Sequence, residues 1–182
     1  MNKVLKYILV IGLIVFVFTG CMKNSEIKSE QDSEKFKKLS PSEQVTIVHL
    51  ENLKTFLNED AKGIANAFSP NYKDMFRSKD GNKADVSKNY FEDWFKSENY
   101  KACKKLELDE LVNVEDEKVY TYDEITQMNP VAVGVKNVVG FEYKDGDILI
   151  KFPKKENSPM INGWNGVYRK ENGYWKIIAG NF

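Results

Sequence analysis

The hydrophobic period of this chain changes once, near Lys105, and that change limits the fold more than any other feature. Before it, apolar residues recur at helical spacing; after it, they alternate. Ser40-Pro41-Ser42-Glu43 is a helix start, with serine as N-cap, proline at the first helical position and glutamate three residues after the cap. The helix is expected to run to about Asn58. Val45, Leu50, Leu53, Phe56 and Leu57 share its apolar face, and Glu51, Lys54, Thr55 and Asn58 oppose them. A second helix is predicted over Asp60 to Phe68, ended by Ser69-Pro70, with another helical turn over Asn71 to Arg77. A third, Asp85 to Ser97, carries a stripe of Val86, Tyr90, Phe91, Trp94 and Phe95 that reads as core.

After Lys105 the shared parity of Leu106, Leu108, Val112 and Val114 predicts a strand, and Glu115-Asp116-Glu117 turns the chain into another over Lys118 to Tyr122. The stretch Asp123 to Pro130 is open between loop and helical turn. Val131 to Tyr143 reads as one long strand, joined by the Asp145-Gly146 turn to Ile148, Ile150 and Phe152. Pro153 to Gly163 is a loop, and a last hairpin pairs Trp164 to Lys170 with Tyr174 to Ala179 around Asn172-Gly173. Helices followed by hairpin-linked strands predict an α+β fold: N-terminal helices packed on one face of a curved antiparallel sheet.

The N-terminus has a different character. Lys3 and Lys6 precede an apolar run of 12 residues from Tyr7 to Phe18, which stops at Thr19-Gly20-Cys21. A positive segment, a short greasy segment and a small-residue cleavage site form an export signal. The run is shorter than the roughly 20 residues a membrane-spanning helix needs. The competing reading is an uncleaved anchor with its lysines held inside, and either way the remaining chain lies outside the cytoplasmic membrane. With cysteine directly after Thr-Gly, the signal resembles that of bacterial lipoproteins, Phe18 standing where leucine is usual. The resemblance implies cleavage after residue 20, diacylglycerol and palmitate on Cys21, and attachment to the outer face of the cell membrane.

Residues 1–20 hold two basic residues and no acidic ones, so the formal balance of zero becomes −2 once they are removed. Such a chain has no basic face for nucleic acid. Met22 to Leu39 is rich in charge and poor in apolar residues; the 18 residues read as a disordered tether, 21–39 with its cysteine, of roughly 25 Å reach. Residues 40–182 then form one domain. With Cys21 acylated, Cys103 is the one thiol left, which excludes an internal disulfide. It reads as a small strand residue; a nucleophilic role has no base to support it.

The domain resembles the nuclear-transport-factor-2-like superfamily, the cone-shaped fold shared with ketosteroid isomerase and SnoaL-like proteins. The resembling residues are the first helix, Asn58 to Ala65, Phe68-Ser69-Pro70-Asn71-Tyr72 and the closing Val167 to Ile178. Within it, the chain is most similar to uncharacterised lipoproteins of Gram-positive-type bacteria. The resemblance implies a cone between first helix and sheet where relatives hold substrate, and it carries over no catalytic residue, since no Asp/Tyr pair is placed as in ketosteroid isomerase.

Three polar residues share parity with apolar ones: His49 on the first helix, Glu110 between Leu108 and Val112, and Asn137 between Val135 and Val139. Gathered in one cavity they could perform acid–base work, with desolvation raising the glutamate's pKa. The alternative makes Glu110 and Asn137 bulges facing solvent and His49 a satisfied core residue. One histidine and two cysteines cannot form a zinc set, and no phosphate-binding glycine loop follows a strand, so neither metal nor cofactor is expected. Leu111, Val138 and Leu149 lie on the opposite parity, either as a second sheet face suited to a homodimer or as scattered surface residues. The expected function is a membrane-anchored, non-catalytic domain binding a small ligand or a wall or envelope protein. The alternative is a small isomerase, dehydratase or hydrolase using the cone; a two-lobed solute receptor would need more chain.

Overall fold

The capping signal at Ser40 and the hairpin signals at Gly146 and Gly173 fix the ends of the elements that build the core. The computed structural model describes residues 30–74, 85–127, 142–160 and 162–181. The helices are α1 (Glu34–Lys37), α2 (Pro41–Leu57), α3 (Ala61–Ala67), α4 (Lys88–Trp94), α5 (Glu98–Cys103), α6 (Leu108–Leu111) and α7 (Tyr122–Gln127). The strands are β1 (Phe68–Asp74), β2 (Lys118–Thr121), β3 (Ile148–Phe152), β4 (Trp164–Glu171) and β5 (Tyr174–Asn181). Together they form an α+β fold with one curved, open, five-stranded sheet in the order β1-β5-β4-β3-β2.

The sheet is mixed rather than antiparallel, because β1 runs parallel to β5. The helical turn expected after Pro70 is therefore strand as far as Asp74. Pro70 is tolerated because β1 is an edge strand, where a missing N–H costs no ladder bond. The other strands form an antiparallel meander, with turns at Gly146 (φ +83°) and at Asn172-Gly173 (φ +52° and +87°).

The predicted N-cap of α2 is present: Ser40 N–H donates to Glu43 at 2.9 Å, and Glu43 N–H returns to the Ser40 hydroxyl at 3.4 Å. Its buried face includes Gln44, Val45, Val48, His49, Asn52, Leu53 and Phe56. Glu51, expected on the outer face, is also buried, with Lys54 2.8 Å away. The aromatic stripe does enter the core, though as two helices: Ser87 caps α4 and Ser97 caps α5. The Tyr100 hydroxyl lies 3.1 Å from both the Phe56 and Leu57 carbonyls and so satisfies the C-terminal end of α2.

The strand expected over Leu106 to Val114 does not form. Leu108, Leu111 and Val112 fit one helical turn as well as they fit alternation, and Glu110 closes a capping box on Glu107 that selects the helix. Only Val112 bridges to Lys154. Cys103 accordingly ends a helix, not a strand, and is buried. The long strand expected over Val131 to Tyr143 lies largely outside the described residues.

The main core lies between the helices and one sheet face. A smaller cluster on the other face joins Leu149, Val167, Ile178 and Ala179 to Ile125 of α7. Ile178 is the extra residue of a bulge opposite Val167 and Tyr168, so it and Ala179 both reach the second cluster. Of the residues assigned to that face from parity, Leu149 belongs to it and is buried there, Leu111 belongs to the main core, and Val138 lies outside the described residues.

The segment expected to be a disordered tether is packed from Glu30 onward. Phe36 is 4% exposed. Gln44 Nε2 donates to the Phe36 and Leu39 carbonyls at 3.1 and 3.0 Å, while its Oε1 accepts from Trp175 Nε1 at 2.9 Å. Gln31 accepts from the Trp175 amide at 2.9 Å, and Asp32 from the Tyr174 hydroxyl, also at 2.9 Å. One buried aromatic and these bonds suffice to order a segment whose composition alone argues for disorder.

Candidate functional site

His49 is on the inward face of α2, as its helical position requires, and it is wholly buried. Its Nε2 lies 3.0 Å from the Trp164 carbonyl, which can only accept, so Nε2 carries the proton. Nδ1 therefore accepts from the Tyr168 hydroxyl at 3.0 Å, and that oxygen accepts from Asn52 Nδ2 at 3.1 Å. The row Asn52–Tyr168–His49–Trp164 ties α2 to β4 across the core.

Burial pushes the His49 pKa down to about 3, with the Trp164 bond opposing the shift only in part, so the ring is neutral at physiological pH. Burial raises the Tyr168 pKa, and the Asn52 bond opposes that change. Aromatic rings pack closely around the imidazole. Phe152 meets it edge-on at 4.6 Å between centroids and Tyr168 at 5.6 Å, while Phe56 and Trp164 are 5.2 Å apart. Gly166 on β4 leaves room for this arrangement, since a Cβ there would approach the Tyr168 ring to 3.1 Å and His49 Cε1 to 3.8 Å.

Glu110 is elsewhere in kind. It is exposed on α6, where its carboxylate accepts from the Glu107 amide at 2.8 Å. The parity argument that placed it beside His49 required a strand that is not there. Asn137 and Cys21 lie outside the described residues. The expected three-residue constellation is thus reduced to a histidine with both ring nitrogens in structural hydrogen bonds. Burial also raises the pKa of the Cys103 thiol, away from the thiolate that a nucleophile needs. Among the described residues no group of three or more His, Cys, Asp or Glu could hold a metal, and no helix is long and apolar enough to cross a membrane.

The sequence reading missed Gln44, Asn52 and Tyr168, which carry the polar contacts of the core. Gln44 and Asn52 fall in the same helical stripe as Val45, Val48 and His49, and that is the signal that could have identified them. It also missed Asp147, which accepts from Arg169 Nε at 2.7 Å and Nη2 at 2.6 Å and from the Lys144 amide at 2.8 Å. The Arg169 Nη2 further donates to the Glu142 carbonyl at 3.1 Å, locking the turn before β3 onto β4. Comparison of the chain with protein families, curated proteins and solved structures gives no significant match.

Proposed function

We propose that the chain is a lipoprotein held on the outer face of the cell membrane through Cys21, carrying a nuclear-transport-factor-2-like domain that binds rather than catalyses. The order of two helices, an edge strand parallel to the last strand, and an antiparallel meander under α2 supports the fold assignment. The observation that carries the binding reading is the state of the imidazole: neutral, fully buried, and bonded at both nitrogens. A general base must reach the proton it removes, and His49 is spent on Tyr168 and the Trp164 carbonyl. The enzyme alternative needed Glu110 in the same cavity, and that carboxylate caps its own helix instead. With His49, Phe56, Phe152 and Trp164 packed ring against ring beneath α2, recognition falls to the outer surface, which suits a wall or envelope protein better than a small enclosed ligand.

The test is fatty-acid labelling of cells that make the full chain. Label on the wild type and none on Cys21→Ala is expected. An unlabelled wild-type protein overturns the anchoring.

A further inference from the structure

The packed segment Glu30–Leu39 changes what a lipid on Cys21 would do. A loose tether of 18 residues would let the domain turn freely. With the chain fixed from Glu30, nine residues separate Cys21 from the docked segment, a reach of at most about 32 Å and about 17 Å if coiled. The segment leaves the domain at a defined place, beside the β4–β5 turn, where Gln31 holds the Trp175 amide and Asp32 the Tyr174 hydroxyl. Gln44 bonds two of its carbonyls, and Phe36 is buried beneath it.

The charge at this end is of the right kind. Lys35, Lys37 and Lys38 are exposed on or next to α1, and Lys170 is exposed on β4 with its ammonium 5.5 Å over the Trp175 ring. The acids of the same end are engaged with the protein: Asp32 with Tyr174, Glu34 with Lys37 at 3.1 Å, Glu171 with the Ser69 hydroxyl at 3.0 Å. Lysines within a Debye length of an anionic bilayer each attract it. We propose that the docked arm sets the orientation of the domain on the membrane, turning the β4–β5 end and the lysines of α1 toward an anionic lipid surface. The opposite end of the strands, near Trp164, then faces away from it. This rests on acylation of Cys21.

The experiment uses the full-length acylated protein on vesicles containing phosphatidylglycerol and a headgroup-bound quencher. A fluorophore is attached at Lys170→Cys near the turn or at Glu156→Cys in the exposed loop that precedes β4; Cys103 is buried and does not compete. Quenching at position 170 is expected to exceed that at 156 by about twofold or more, and to approach equality in Phe36→Ala, which releases the arm, and in Lys35→Glu/Lys38→Glu, which reverses the charge. Protein that floats with the vesicles but is quenched equally at both positions overturns the orientation alone. Protein that fails to float overturns the anchoring on which it rests. A contrast that survives both variants overturns the roles given to the arm and the lysines.

Discussion

Tyr168 and Arg169 are neighbours on β4 and point to opposite faces of the sheet, and the polar sites they build solve burial in different ways. On the main face, Tyr168 joins a row of neutral groups, each donor matched to one acceptor: Asn52 to Tyr168, Tyr168 to His49, His49 to the Trp164 carbonyl. On the other, Arg169 meets Asp147 as a charged pair with two parallel bonds. Asp147 is wholly buried while the Arg169 side chain keeps 27% exposure. Neutral groups can be enclosed completely once their bonds are satisfied, whereas a charge costs much less when one partner keeps contact with water. The depth of each site therefore dictates its chemistry. The deep site needs a histidine that never ionises, and the shallow one tolerates full charges.

The strongest way to break this contrast is at its centre. His49→Ala removes a packed ring and leaves both the Tyr168 hydroxyl and the Trp164 carbonyl without their partner, so a loss of about 4 kcal/mol of unfolding free energy is expected in urea titration. A loss under about 1 kcal/mol would mean that the row contributes little to the fold. Asp147→Ala is expected to cost about 3 kcal/mol, at the low end for a broken buried pair because Arg169 can turn to solvent.

Acid sharpens the comparison, and the chain's single histidine makes the reading clean. The folded imidazole has its pKa lowered to about 3 by burial, against roughly 6.5 when unfolded. Between those values the unfolded chain binds the extra proton, so stability falls as pH drops below the unfolded value and the loss is complete near the folded one. From pH 7 to pH 5 the histidine contribution is about 2 kcal/mol, which His49→Gln should remove from the difference between the two pH values. Nitrogen chemical shifts of the one imidazole are expected to report a proton on Nε2 and no titration near neutrality. A ring that protonates near pH 6 would refute the neutral row.

Sequence alone revealed much of the scaffold and little of this chemistry. Ser40 and Glu43 announce a cap because both partners are local, and Asn172-Gly173 announces its turn because few residues accept positive φ in succession. His49 was visible as a polar residue in an apolar stripe. Its partners were not, because Tyr168 and Trp164 lie more than a hundred positions away and nothing local links them. Glu110 was misplaced because four alternating residues are too short a sample to separate a strand from helical turns. Phe36 was the overlooked signal in the supposed tether, a lone aromatic among charges that composition averaged away. Asp147 likewise hid beside the turn residues Asp145-Gly146, although its partner is one of only two arginines in the chain.

The smallest expected effect separates the two sites most sharply. Replacing both members of the charged pair, as Asp147→Leu/Arg169→Leu, should leave stability within about 1 kcal/mol of wild type, because the loss of attraction is offset by the desolvation no longer needed. The groups left behind are at the margin: the Glu142 carbonyl bonds at an exposed position and the Lys144 amide at a partly buried one, so water can replace what the pair supplied. No such relief exists on the main face. Tyr168→Phe keeps the ring and the packing, but it strips a partner from both the Asn52 amide and His49 Nδ1 in a place closed to water, at an expected cost of about 2 kcal/mol. If the single hydroxyl deletion proved gentler than the double charge deletion in the same denaturation series, depth would not be what governs the two faces.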